Sequence, residues 1–418
     1  MLTSRFHTIP RFAVPCTLGD FRTGLGALLA RTPPVDAFGL AGRSAKFWTR
    51  SGRQALRLIL TGLEMPRGSG VALPLFTDPS LAEAVVAAGH RPVFIDVDPN
   101  SLTIDPQSLD AARGKFSAVV IVHLFGHLAD LPALTSAAGG AAIVEDTAHA
   151  PLSFWNGRMA GEFGLASFYS FASTKYWPAG GGGMAVVHDR DLAARVARQV
   201  GFLAAPSRAR EMQSLALQAA KTVVFHRCAY GLLGKPLRRW VERLALLEPS
   251  LDLTAIERPH AAVALRQASR FAARVQRQRA NSLRLLSRLA EAEDVVLPRE
   301  PFGATYNYHL FPVVLRSPEE RAAVTAAMWK EFVDTSTIYS GSIELSRRFG
   351  YRGGCPVSES VAERLITLPN YAALTRPEID AVAEAFLAAL RSSRDSRYFF
   401  PLTQLGARVD SPREPSRA

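Results

Sequence analysis

Short apolar runs and helical apolar stripes alternate along most of this chain. The first stripe follows Ser51, with Leu56, Ile59, Leu60 and Leu63 at helical spacing, and Ser51 suits the N-cap. Then come a strand pattern at Val71–Leu73, a helix over Ser80–Ala88 stopped by Gly89, and a strand at Pro92–Ile95. That succession predicts a βαβ unit, with parallel pairing and a right-handed crossover. A short helix at Leu109–Ala112, a buried strand at Ala118–Val122 and a helix at Leu131–Ala138 continue it. Three further strands are predicted at Ala141–Glu145, Leu165–Phe171 and Met184–Val187. A long helix over Ala261–Leu289 carries Leu265, Ala268, Ala272 and Val275 on one face. A strand at Tyr306–Leu315, a helix at Pro318–Val333 and a last helix from Pro377 to about Leu390 complete the pattern. Alternating strands and helices predict an α/β fold with a parallel or mostly parallel sheet.

A chain of 418 residues can bury a large core and predicts two domains. The net charge of +12, carried mostly by Arg, points to an anionic substrate or an anionic surface. No nucleic-acid-binding module is recognisable and the Arg residues are scattered, which argues against nucleic acid as the partner. Cys16, Cys228 and Cys355 are far apart and odd in number. They suggest neither a disulfide framework nor a zinc site, and they suit a reducing cytoplasm. The first residues lack the apolar core of a signal peptide, and no apolar run is long enough to span a membrane.

The candidate chemistry lies between Ile143 and Val187. Asp146 follows one predicted strand, Ser170 and Lys175 end the next, and the glycine run Gly180–Gly183 precedes the third. Open α/β sheets bind ligands at their carboxyl edge, so the acid and the lysine can meet in one crevice. Pyridoxal phosphate (PLP) needs such a pair: a lysine amine for its Schiff base and a carboxylate beside its pyridine nitrogen. Lys175 fits the first role and Asp146 the second. Ser51–Gly52–Arg53 opens a helix whose free N–H groups and dipole favour an anion such as a phosphate. His123 and His127 flank Gly126, but without a helix or a third ligand they make a weak metal pattern.

Further stretches carry a resemblance. EDTAHA at 145–150, SFYSFASTK at 167–175 and GGGGMAVV at 180–187 resemble the DegT/DnrJ/EryC1/StrS sugar aminotransferases. So do PVFIDVDPNSLTID at 92–105, VHLFGHLADL at 122–131 and ITLPNYAALTRPEIDAV at 366–382. The resemblance implies a fold type I PLP-dependent transferase with a smaller C-terminal α+β domain. It divides the chain into a leader at 1–45 that packs on the small domain, a large cofactor domain at 46–250, a small domain at 251–391 and a disordered tail at 392–418. It also implies a homodimer.

The implied reaction moves an amino group, from glutamate, to a keto sugar that is nucleotide-linked, in cell-surface polysaccharide or secondary-metabolite synthesis. The resemblance assigns Lys175 to catalysis, and Gly52, Arg53, Asp146, His149, Ser170 and Lys175 to the cofactor. His149 would lie near the cofactor's phenolic oxygen. Family members stack an aromatic ring on the cofactor where this chain has Asp78, and Phe76, two residues earlier, is the substitute expected here. Tyr339 and His309 are the expected substrate contacts, and Arg258 a candidate for the partner subunit's site. A dehydratase, in which a histidine replaces the lysine, and a non-catalytic scaffold are the rival readings. The stretch Thr222–Leu247 is both apolar and basic, and suggests peripheral contact with an anionic membrane.

Overall fold

The computed structural model describes residues 8–30, 44–226, 230–231 and 253–395. Most of 222–247, the basic apolar stretch, and all of 396–418 lie outside them. Among the described residues nine strands precede residue 190: β1 (Ala45–Thr49), β2 (Gly70–Pro74), β3 (Arg91–Ile95), β4 (Ala118–Val122), β5 (Ala142–Asp146), β6 (Phe154–Trp155), β7 (Arg158–Met159), β8 (Ala166–Ser170) and β9 (Gly183–Val187). Seven of them form the central sheet, in the order β1-β9-β8-β5-β4-β2-β3. The block from β3 to β8 is parallel, whereas β9 and β1 are antiparallel additions at one side. The fold is therefore α/β around a mostly parallel sheet flanked by helices.

Strand periodicity explains why this sheet needs cover on both faces. On β4, Ala118, Val120 and Val122 pack in one cluster with Leu56 and Ile59, while Val119 and Ile121 pack in another with Leu109, Leu131 and Leu134. Successive side chains point to opposite faces. A strand apolar at every position is therefore stable only between two layers of helix. Helices α2 (Gly52–Gly62) and α3 (Ser80–Ala87) cover one face. Helices α4 (Pro106–Ala111) and α5 (Leu131–Ala138) cover the other.

The register sets up the site. Val122 pairs with Asp146, Asp146 with Phe168, Ser170 with Gly183 and Gly183 with Thr49. The carboxyl ends of β4, β5 and β8 thus share one edge with the start of β9 and the end of β1.

The C-terminal part is smaller. Strands β11 (Phe311–Val314) and β12 (Leu365–Leu368) pair antiparallel, after a two-residue β10 (Ala304–Thr305) that joins β6. Phe311, Val313, Ile366 and Leu368 pack with Val382 and Phe386 of the last helix, Arg376–Arg394. The long helix Arg258–Arg288 leads into this part.

Several elements differ from the pattern reading. The expected strand Tyr306–Leu315 is a strand only from Phe311. Before it the chain is irregular, with Tyr308 at φ 54°, because side chains hold its backbone in place of a ladder. Asn307 Nδ2 donates to the carbonyls of His149 (2.9 Å) and Pro151 (2.8 Å), and the Asn307 amide donates to Ser153 Oγ (3.0 Å). Such local bonds compete with regular structure. The leader holds an unforeseen helix, α1 (Leu18–Leu29), closed by a capping box between Thr17 and Asp20. The edge strand β1 was also missed. Helices α6 (Arg190–Gly201) and α7 (Arg208–Val224) fill the first part of the helical stretch after β9. The last helix extends to Arg394, past the expected Leu390. Among the described residues no helix is long and apolar enough to cross a membrane.

Candidate functional site

A cavity of about 710 Å³ opens at the shared edge of β4, β5, β8 and β9. Gly52, Arg53, Asp146, His149, Ser170, Lys175 and Tyr339 all line it. Residues as far apart as 52 and 339 therefore converge on one space.

Asp146 and its neighbour Glu145 show how strand alternation divides the work. Glu145 turns away from the cavity and is fully buried. It accepts from the amides of Gly161 (2.8 Å), Phe163 (2.6 Å) and Gly164 (2.7 Å), and lies 2.9 Å from His123 Nε2. Burial alone would raise its pKa, but these bonds outweigh it and hold the carboxyl below the usual range. His123 is thus committed to a structural pair. Asp146 points into the cavity and accepts from the Ala148 amide at 2.9 Å. Burial pushes its carboxyl up to about 6. A cation beside it would reverse that shift.

Lys175 follows β8 in a turn, and its Nζ lies 2.6 Å from His149 Nε2. The amide of Phe125 donates to His149 Nδ1 at 3.2 Å. Nδ1 therefore carries no proton, and the neutral ring holds its proton on Nε2. That N–H faces Lys175 Nζ. Burial, the leading cause for each, lowers the pKa of Lys175 and holds His149 well below the ordinary histidine value. Burial thus works against charge on both partners, while Asp78 and Asp146 work to keep Lys175 protonated. His309 packs its ring 4.4 Å from that of His149, and burial keeps it neutral as well. It sits in the irregular segment before β11, not on the expected strand.

The N-terminus of α2 forms the opposite wall. Ser51 caps it, with Oγ accepting from the Gln54 amide at 3.1 Å, and its first turn holds no acidic residue. The helix field is therefore not neutralised from within, and an anion is favoured there. Arg53 lies 3.5 Å from Glu83, a partly exposed pair of which only Arg53 borders the cavity. Gly183 lets β9 start against this helix: a Cβ there would fall 2.4 Å from the Ser51 carbonyl carbon. Gly182 before it has φ +95°, a conformation that suits glycine.

One expectation needs correction. Phe76 does not border the cavity. It is fully buried, with its ring 6.3 Å from Phe125 and 5.9 Å from Tyr339, and belongs to the core. The residues that reach the cavity from this loop are Thr77 and Asp78. A phenyl ring at 76 faces inward because the cluster beneath β2 takes it. Arg258 is engaged within its own chain: its Nε donates to Glu211 Oε1 at 2.9 Å. Sequence reading missed Asp78, Thr174, Arg11 and Phe12 as lining residues. The leader in particular carries no motif; only the fold brings it over the cavity.

The donor set fits pyridoxal phosphate. A helix N-terminus, the Ser170 hydroxyl and Arg53 could hold its phosphate, the buried Asp146 carboxyl could face its ring nitrogen, and the Lys175 amine could bond its aldehyde carbon. Gly52 lies close against β8: a Cβ there would come within 3.2 Å of Ser170 Cβ and 3.4 Å of the Tyr169 carbonyl oxygen.

Comparison with known proteins gives the family and the fold. The model of the DegT/DnrJ/EryC1/StrS aminotransferase family matches residues 41–387. The UDP-N-acetyl-3-dehydro-alpha-D-glucosamine 3-aminotransferase of Acidithiobacillus ferrooxidans is 28% identical over 380 residues, 87% of this chain and 92% of that protein. Among solved structures, the aminotransferase TlmJ from Streptoalloteichus hindustanus superposes with a TM-score of 0.74 at 22% identity, covering 92% of this chain and 99% of that one. The PLP form of a candidate sugar aminotransferase from Streptococcus pneumoniae gives 0.72 at 18% identity, covering 92% and 99%. At these identities the two structures speak for the fold alone.

Proposed function

The chain belongs to the DegT/DnrJ/EryC1/StrS aminotransferase family, and on that premise we propose that it aminates a nucleotide-linked keto sugar with glutamate as donor. The observation that carries this reading is the convergence of Lys175, Asp146, Ser170 and the α2 N-terminus on one cavity. Pyridoxal phosphate, when bound, supplies an electron-withdrawing ring that carries the amino group between donor and acceptor.

The residues have separable tasks. The α2 N-terminus, Ser170 and Arg53 bind the phosphate and fix the ring's position. Asp146 holds a proton on the ring nitrogen. Lys175 Nζ would hold the cofactor, and its amine is placed to take and return the proton at the substrate carbon. His149, neutral and fixed by the Phe125 amide, orients the Lys175 amine and offers its Nε2–H to an oxygen nearby. Tyr339 and His309 border the space left for substrate; burial keeps the Tyr339 phenol protonated, its pKa well above the ordinary value. Retention of Lys175 favours amino transfer over dehydration.

The test is a panel of keto sugar nucleotides offered with L-glutamate to the cofactor-loaded protein. Formation of 2-oxoglutarate that depends on one or more of these sugars is expected. Turnover with none of them, but with simple keto acids, would assign a different acceptor class.

The active form is proposed to be a homodimer related by a two-fold axis, the commonest closed assembly. Sedimentation at assay concentration is expected to give twice the chain mass. A fully active monomer would contradict it.

A further inference from the structure

Beside the cofactor-sized cavity lies a second chamber of about 700 Å³. Lys175, Thr174, Phe12 and Phe225 line both, so the two spaces adjoin at the reactive amine. The walls of the second chamber are leader residues 10–17, one face of the helix Arg258–Arg288, and residues 370–373.

The charge on these walls is of one sign. The helix contributes Arg270, Arg274 and Arg277, and the leader contributes Arg11. Among the described residues no Asp or Glu lines the chamber. Residues spaced four and three apart share a helix face. The row from Arg270 to Arg277 extends roughly 10 Å at 1.5 Å per residue.

The three helix arginines differ in how far they are already committed. Arg270 pairs with Asp20, which lies outside the chamber wall. Arg274 meets only neutral acceptors: it donates to the Tyr176 carbonyl at 3.0 Å and to Gln267 Oε1 at 2.6 Å. Burial, and then Arg270 beside it, lower the Arg274 pKa from its usual value. Arg277 is exposed and makes no hydrogen bond or ion pair among the described residues. A cleft of one charge sign with apolar walls such as Phe12 and Phe225 concentrates the field on an entering counter-ion. Guanidinium groups bind phosphate oxygens through paired, charge-assisted hydrogen bonds.

We propose that this chamber binds the phosphate-bearing end of the amino acceptor, with Arg274 and Arg277 as its anion ligands. The inference rests on the aminotransferase reading for the acceptor's entry and adds where its charged end docks. The acceptor then lies with its phosphates on the helix and its keto carbon toward Lys175. Glutamate is the other anion in the reaction, but one small dicarboxylate would leave most of a 700 Å³ chamber empty. A row of cations about 10 Å long suits a group with more than one charged centre.

The experiment uses the protein loaded with pyridoxal phosphate, so that the cofactor's own anion site is filled. Calorimetric titrations at low salt compare uridine 5′-diphosphate, inorganic pyrophosphate, uridine and glutamate. The two phosphate compounds are expected to bind at least tenfold more tightly than uridine, and rising salt should weaken them. Arg277→Glu and Arg274→Gln should each weaken both at least tenfold, with cofactor absorbance unchanged. Arg274→Gln removes packing as well as charge, so the exposed Arg277→Glu carries the test if the other variant folds poorly. The site is overturned if neither phosphate compound binds, if Arg277→Glu binds them as the parent does, or if only glutamate depends on the arginines. Failure of cofactor uptake by the parent protein is a separate readout, and would count against the transferase reading instead.

Discussion

Lys175→Ala is expected to abolish amino transfer, lowering the rate by roughly ten-thousand-fold or more, because it removes the covalent anchor and the proton carrier together. The geometry gives the reason. Nζ lies 2.6 Å from His149 Nε2, and the Phe125 amide fixes which ring nitrogen holds the proton. Burial lowers the Lys175 pKa and so favours the free base, the form that attacks a carbonyl. Borohydride reduction of the loaded protein, followed by peptide mapping, should leave the cofactor on the peptide around Lys175. Label on Lys46, Lys115 or Lys221 instead would sink the assignment. His149→Phe supplies the matching control. Without the Nε2–H donor the ammonium form gains ground, so capture of the cofactor should move to higher pH, with Lys175 still the labelled residue. A capture profile that does not move would reduce His149 to packing.

Asp146→Asn should have the second-largest effect. The substitution keeps the shape of the side chain and removes the charge that a ring-nitrogen proton needs. Deleting one partner of a buried ion pair costs about 3–5 kcal/mol, roughly a hundred- to several-thousand-fold in rate or affinity. The pH dependence sharpens the test. In the cofactor-free protein burial holds the Asp146 carboxyl at about 6 instead of 3.8. A carboxyl whose folded pKa is raised costs stability as pH rises through the unfolded value and up to the folded one. Asp146→Asn should therefore flatten stability against pH between 3.8 and about 6, and leave the empty protein no less stable at neutral pH. The same variant should take up pyridoxal phosphate far more weakly. A residue that only supported the fold would behave in the opposite way: thermal stability would fall and cofactor uptake would follow it down. Rates within a few-fold of the parent would show that another acid serves the ring nitrogen.

The part of this protein that its sequence determined is the part written in local patterns. Fully apolar runs such as Ala118–Val122 require cover on both faces, and runs of that kind separated by helical stripes require a parallel, doubly covered sheet. Asp146, Ser170 and Lys175 were legible for the same reason: each follows a strand, and strand ends of one sheet share an edge. What the tertiary structure decided depends on contacts between distant residues. Phe76 could be read from sequence as a ring beside the cofactor; only packing against Phe125 and Tyr339 sends it into the core and leaves Asp78 at the cavity. The proton on His149 is set by an amide 24 positions away. Tyr306–Leu310 has the composition of a strand, yet the side chains of Asn307 and Ser153 hold it irregular and bring His309 to the site. The arginines at 270, 274 and 277 share one face of a helix that the sequence predicts, but only the leader packed against that face makes it the wall of a chamber. Periodicity fixes which face of an element is apolar, because it is a property of neighbours in sequence. Which cations and rings share a cavity is a property of neighbours in space, and the fold alone supplies it.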